Sequence, residues 1–171
     1  MRRGTLTRLV VLAAATLPAD AQFLSINELS GQVGNLAVGR SISEYGRELV
    51  RLSFDVYTTR DFAIAACLDS TSDAIREIRA CKLGMYTKRF VVIGNSTMED
   101  VLKRYGQAQL RRQEYGHSAL PDRMRGSKIV LSYNTFAFTF DNSPDNKTEP
   151  MSRRVECVLV RDPMRPFIQH R

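Results

Sequence analysis

Two histidines set a narrow limit on acid–base chemistry in this chain, His117 and His170. His117 stands in "EYGHSALP", with Glu114 three residues before it and Ser118 directly after, an acid, an imidazole and a hydroxyl within five positions. A hydrolase would need that imidazole to be placed against a nucleophile and a carboxylate by the tertiary fold. No G-x-S-x-G elbow accompanies it. The stretch "GNSTMEDVLKRYG", Gly94 to Gly106, invites a phosphate reading. It lacks the second glycine and the lysine of a Walker A loop, and Glu99 and Asp100 already put negative charge where an anion would sit. "DNSPDN", from Asp141 to Asn146, offers oxygen ligands for calcium, but Pro144 interrupts it and the glycine of an EF-hand loop is absent. With two His, three Cys and no C-x-x-C, the expectation is no metal and no cofactor.

Basic residues give the other chemical signal. Arg111, Arg112, Arg123, Arg125 and Lys128 crowd the polar stretch 107–128, and Arg153, Arg154, Arg161, Arg165 and Arg171 the C-terminal part. The first group is the candidate binding face, for an anionic surface or an acidic partner. The competing reading is a solvated surface.

These residues must be positioned by a chain of 171 residues with ordinary hydrophobic and charged content, enough for one domain with a real core. The beginning is unlike the rest. Arg2, Arg3 and Arg8 precede an apolar run from Leu9 to Leu17, and Ala19-Asp20-Ala21 follows. That is the pattern of a signal peptide over residues 1–21, with a run too short to span a bilayer. Its removal takes three Arg and one Asp and lowers the net charge from +7 to +5. The expected product is periplasmic or secreted, has no transmembrane segment and meets no nucleic acid.

An oxidising compartment permits one disulfide among Cys67, Cys81 and Cys157, and sequence alone leaves all three pairings open. Cys67 and Cys157 become neighbours if two similar segments, 51–81 and 130–160, share a sheet. Leu52-Ser53-Phe54 matches Leu131-Ser132-Tyr133, and Phe62-Ala63-Ile64 matches Phe136-Ala137-Phe138. Asp69 and Asp141 each open a polar turn, and an apolar segment follows in both. Phe136, Phe138 and Phe140 alternate with Ala137 and Thr139, the period of a strand. Between the two segments, the S-x-x-E pattern from Ser96 to Glu99 predicts a capped helix start. Met98, Val101, Leu102 and Tyr105 form one apolar stripe, which should lie on a sheet, and Gly106 predicts the stop. Residues 22–50 read as an N-terminal arm or helix, 107–128 as a long loop, and 161–171 as a basic tail.

The fold expected is therefore α+β, an antiparallel sheet with packed helices in a domain over 51–160, and the similar segments open the option of two related helix-plus-hairpin units. Gly94, Ser96, Thr97, Glu99, Val101, Leu102 and Gly106 together resemble the helix motif of BamE/SmpA-like and β-lactamase-inhibitor-like small secreted modules, over roughly residues 90–160. Ala108 replaces the proline of that motif, and no lipid-anchor Cys follows the leader. The resemblance implies a non-catalytic interaction module associated with an envelope protein. The alternative is a small secreted hydrolase, or an anion or ligand binder, using the 107–128 stretch around His117.

Overall fold

A computed structural model describes residues 25–116 and 119–162, with the side chain of Arg123 set aside. The expected signal peptide, His117, Ser118, His170 and nearly all of the basic tail lie outside the described residues.

The architecture corrects the α+β expectation. The described chain is mostly β, twelve strands in two sheets with a single α-helix. The small sheet contains β1 (Ser25–Asn27), β2 (Gln32–Val33), β3 (Leu36–Ala37) and β8 (Tyr86–Thr87), in the order β3-β2-β1-β8. The large sheet contains β4 (Leu49–Arg51), β5 (Val56–Thr59), β6 (Ile64–Leu68), β7 (Ile75–Ala80), β9 (Gln109–Tyr115), β10 (Gly126–Ser132), β11 (Phe136–Asp141) and β12 (Val155–Arg161). Its order is β4-β5-β6-β7-β12-β11-β10-β9, antiparallel throughout.

That order is a palindrome. Two four-stranded meanders meet through their last strands, with Val158 opposite Ala80 and Arg161 opposite Glu77. Within the two similar segments, the hairpins β6–β7 and β11–β12 hold symmetric places about this junction. Leu52-Ser53 instead lies before β5, whereas Leu131-Ser132 ends β10.

Two segments account for the difference. Residues 22–50 look helical in their apolar spacing, but Gly31 and Gly34 take φ of 70° and 58° and fold the run into tight β turns. Residues 107–128 look like a loop because β9 is an edge strand. Gln109 to Glu114 are largely exposed on both faces, so no alternation marks them, yet every residue from Gln109 to Tyr115 pairs with β10.

Alternation on the large sheet divides the core. Phe136, Phe138 and Phe140 join Ile64, Ile78, Leu131, Val158 and Val160 on one face, covered by Ile26, Val33 and Leu36 of the small sheet and by Met98 and Val101. Ala137, Val130, Cys157 and Leu159 face the other way and pack with Val56, Ala65, Tyr115, Leu120 and Met124. The helix α1 (Met98–Tyr105) lays its stripe on the first core, with Leu102 and Tyr105 partly buried against it. Its cap sits one residue later than the sequence pattern places it. Thr97 rather than Ser96 accepts from the Asp100 amide at 3.2 Å, and Asp100 rather than Glu99 accepts from the Thr97 amide at 2.9 Å. Ser96 serves another purpose: its hydroxyl accepts from the Val92 amide at 2.9 Å. Gly106 ends the helix with φ 80° and ψ −163°, a conformation open to glycine, while its amide still bonds to Leu102. No helix among the described residues is long and apolar enough to cross a membrane.

Candidate functional site

Two hairpin turns share one construction. Thr59-Arg60-Asp61-Phe62 links β5 to β6, and Thr87-Lys88-Arg89-Phe90 closes the turn after β8. In each, the phenylalanine amide donates to the threonine carbonyl three residues back, at 2.9 Å. In each, the threonine hydroxyl oxygen accepts a further amide: Ile64 at 3.1 Å in the first, Val91 at 3.2 Å in the second. This is the tight hairpin turn whose fourth residue must adopt the left-handed conformation, a place that favours Gly or Asn. Here Phe62 has φ 55° and Phe90 φ 58°, the two positive-φ residues other than glycine among those described. A bulky side chain there costs about 1–2 kcal/mol. Phe90, 69% exposed, regains little of that cost by burial, and Phe62, 50% exposed, regains only part of it.

The Phe90 turn is braced from below. Glu28 is fully buried, and its carboxylate accepts from the Lys88 amide at 3.2 Å and from the Tyr105 hydroxyl at 2.6 Å. With the phenol proton committed to Glu28, the Thr87 hydroxyl, 2.7 Å from the same oxygen, donates to it. Burial and the adjoining carboxylate push the Tyr105 phenol well above its ordinary range, so it stays a donor. The Arg89 guanidinium lies 5.0 Å over the Tyr105 ring and donates to the Arg104 carbonyl, while Arg104 donates back to the Arg89 carbonyl. Tyr105 in turn packs against Tyr133, Phe136 and Phe138, with ring centroids 5.2–5.5 Å away. The tip is thus tied through one helix to the main core. Tyr105→Phe leaves Glu28 buried with one donor fewer, and should cost about 1–3 kcal/mol in urea unfolding.

The Phe62 turn is held by Asp61, whose carboxylate accepts from Thr59 at 2.5 Å and from the Ala63 amide at 3.2 Å, and lies 3.5 Å from Lys82. Partial burial works to raise the Asp61 pKa, but these two hydrogen bonds and the Lys82 charge outweigh it and hold the carboxyl below its ordinary value.

The cations singled out in the sequence do not share one face. Arg111 and Arg112 are consecutive on β9 and project to opposite sides of the sheet, opposite Val130 and Ile129. Lys128 lies on the Arg111 side, is buried, and pairs with Glu156 at 2.7 Å. Arg125 pairs with Asp122. Cys157 is bonded to Cys81, not to Cys67. Cys81 directly follows β7, the strand beside β12, whereas Cys67 lies one strand further away on β6. Burial pushes the remaining Cys67 thiol up to about 11, with Glu77 adding to the shift, and a thiol there is inert.

The phosphate and calcium readings meet the same obstacle, donors and acceptors already in use. The Thr97 amide bonds to Asp100 and the Met98 amide to the Arg153 carbonyl. Asp141 accepts from Ser143 and Asn146, and Arg153 donates to the Asp141 carbonyl. No group of three or more His, Cys, Asp or Glu able to hold a metal occurs among the described residues. The hydrolase reading rests on His117 and Ser118, outside those residues.

Sequence reasoning missed the two tips. The signal present was the repeated Thr, cation, charged residue, Phe order with a tyrosine one or two positions before it, in "YTTRDF" and "YTKRF". No protein-family model matches the chain, and no curated protein or solved structure matches it.

Proposed function

We propose that the protein is an exported, non-catalytic interaction module of the cell envelope, and that Phe62 and Phe90 are its contact residues. The observation that carries the reading is the pair of exposed phenylalanines held at positive φ. Strain without burial serves no purpose in the fold, and strained residues concentrate where contacts are made. Export rests on the leader pattern of residues 1–21. The likeness of Gly94–Gly106 to BamE/SmpA-like modules supports an envelope role. Lys88 and Arg89 directly precede Phe90, and with Arg89 held over Tyr105 it is Lys88 that gives the tip its exposed charge, so the partner is a protein whose apolar socket has an acidic group at its rim.

The test is capture from envelope extract by the wild type and by a Phe62→Gly/Phe90→Gly variant. A partner retained by the wild type and lost by the variant supports the reading. Equal retention by both refutes the role of the tips.

A further inference from the structure

A cleft of about 360 Å³ opens beside the Phe62 turn. That is within the size range of small-molecule sites, and at ~30 Å³ per water it holds about a dozen waters. Three pieces of chain enclose it: Arg47 and Glu48 before β4, Thr59, Arg60 and Asp61 of the strained turn with Ile64 of β6, and Lys82 after β7. Register brings these pieces together, because Leu49 pairs with Thr59 and Ile64 with Ala80.

The charges in the cleft are unequally committed. Asp61 is used by Thr59, Ala63 and Lys82. Glu48 accepts from the Asn35 side-chain amide. Arg47 and Arg60 pair with no carboxylate among the described residues, and both line the same cleft. Two arginines with no carboxylate partner among the described residues, lining one cleft with Ile64, are suited to a planar or tetrahedral oxyanion carried on a small organic body. The turn between β5 and β6 delivers Thr59, Arg60 and Asp61 to the cleft wall.

We infer that this cleft binds a small organic anion, its carboxylate or phosphate held by Arg47 and Arg60. The site stands apart from the proposed partner contact: the Phe62 ring is not in its lining, and the ligand is a small molecule.

Isothermal titration with phenyl phosphate and with phthalate tests it, on the full mature chain and on Arg47→Gln, Arg60→Gln and Arg112→Gln variants. Arg47 and Arg60 are exposed, so their substitution leaves folding intact. The expected result is saturable binding of at least one probe. Each of Arg47→Gln and Arg60→Gln should weaken it at least about tenfold, and Arg112→Gln should leave it unchanged. Binding of phenyl phosphate alone assigns phosphate, and of phthalate alone carboxylate. No binding of either probe at 10 mM, about the weakest affinity a site of this kind would use, overturns the inference. So does affinity indifferent to either arginine. The Phe62→Gly/Phe90→Gly capture result is independent of both outcomes.

Discussion

Reducing the Cys81–Cys157 bond, or replacing both cysteines by alanine, should lower stability by about 4 kcal/mol. The bond closes a loop with a sequence separation of 76, and the chain entropy removed from the unfolded state by a loop of that length is worth about 4–4.5 kcal/mol. A domain of this size has a total stability of about 5–15 kcal/mol, so the loss is a large share of it. The position makes it larger still in consequence. Cys81 follows β7 and Cys157 lies in β12, so the bond crosses the junction of the two meanders. The check is a pair of urea titrations with and without a phosphine reductant, with Cys67→Ala as a control that leaves the bond intact. A shift below about 1 kcal/mol would mean that β7·β12 packing alone holds the meanders together.

The same junction carries the second large effect. Glu77 is buried and lies between Arg79, at 2.6 Å, and Arg161 of β12. Arg79 also stacks over the Tyr115 ring, 4.5 Å from its centroid. Glu77→Ala leaves the largely buried Arg79 guanidinium without its ion-pair partner and removes one partner of Arg161, and should cost about 3–5 kcal/mol. Replacing all three residues together by apolar ones of similar volume should cost much less, because no uncompensated charge remains. Burial alone raises the Glu77 pKa, but the two arginine charges and their hydrogen bonds outweigh it, so the folded value lies below the ordinary 4.5. A depressed carboxylate stabilises the fold fully above the unfolded value. That contribution fades as pH falls through 4.5 towards the folded value. Wild-type stability should therefore drop below about pH 4.5 more steeply than that of Glu77→Gln, in unfolding titrations run from pH 7 to pH 3.

Much of the large sheet was legible because its strands are buried and regular. The Phe136–Phe140 alternation, the apolar run from Val155 to Val160 and the polar turns after Leu68 and Asp141 each carry their own period or turn chemistry. The helix was legible for the same reason, apart from a one-residue slip at a cap where Ser96, Thr97, Glu99 and Asp100 offer two equivalent boxes. Edge and miniature strands were not legible. β9 has polar residues on both faces, and β1 to β3 are two or three residues long, too short to show a period, with only β1 pairing to a distant strand, β8. The Cys67–Cys157 neighbourhood suggested by the similar segments failed by a single strand, since β7 lies between β6 and β12. The tips were hidden for a different reason. Residue type gives no warning that a phenylalanine occupies a left-handed position, because the sequence rules that locate such turns look for glycine and asparagine.

The claim that Phe62 and Phe90 are kept for contact rather than for the fold is tested most directly by the urea midpoint of Phe62→Gly/Phe90→Gly. Glycine removes about 1–2 kcal/mol of strain at each site and gives back about 0.5–1 kcal/mol in unfolded-chain entropy. Phe90 gives up little burial and the half-exposed Phe62 about 1 kcal/mol, which brings the sum close to zero. The account predicts a midpoint equal to or above that of the wild type, in a protein that no longer retains its partner. An unfolding free energy lowered by more than about 1 kcal/mol per site would contradict it, since the rings would then belong to the core.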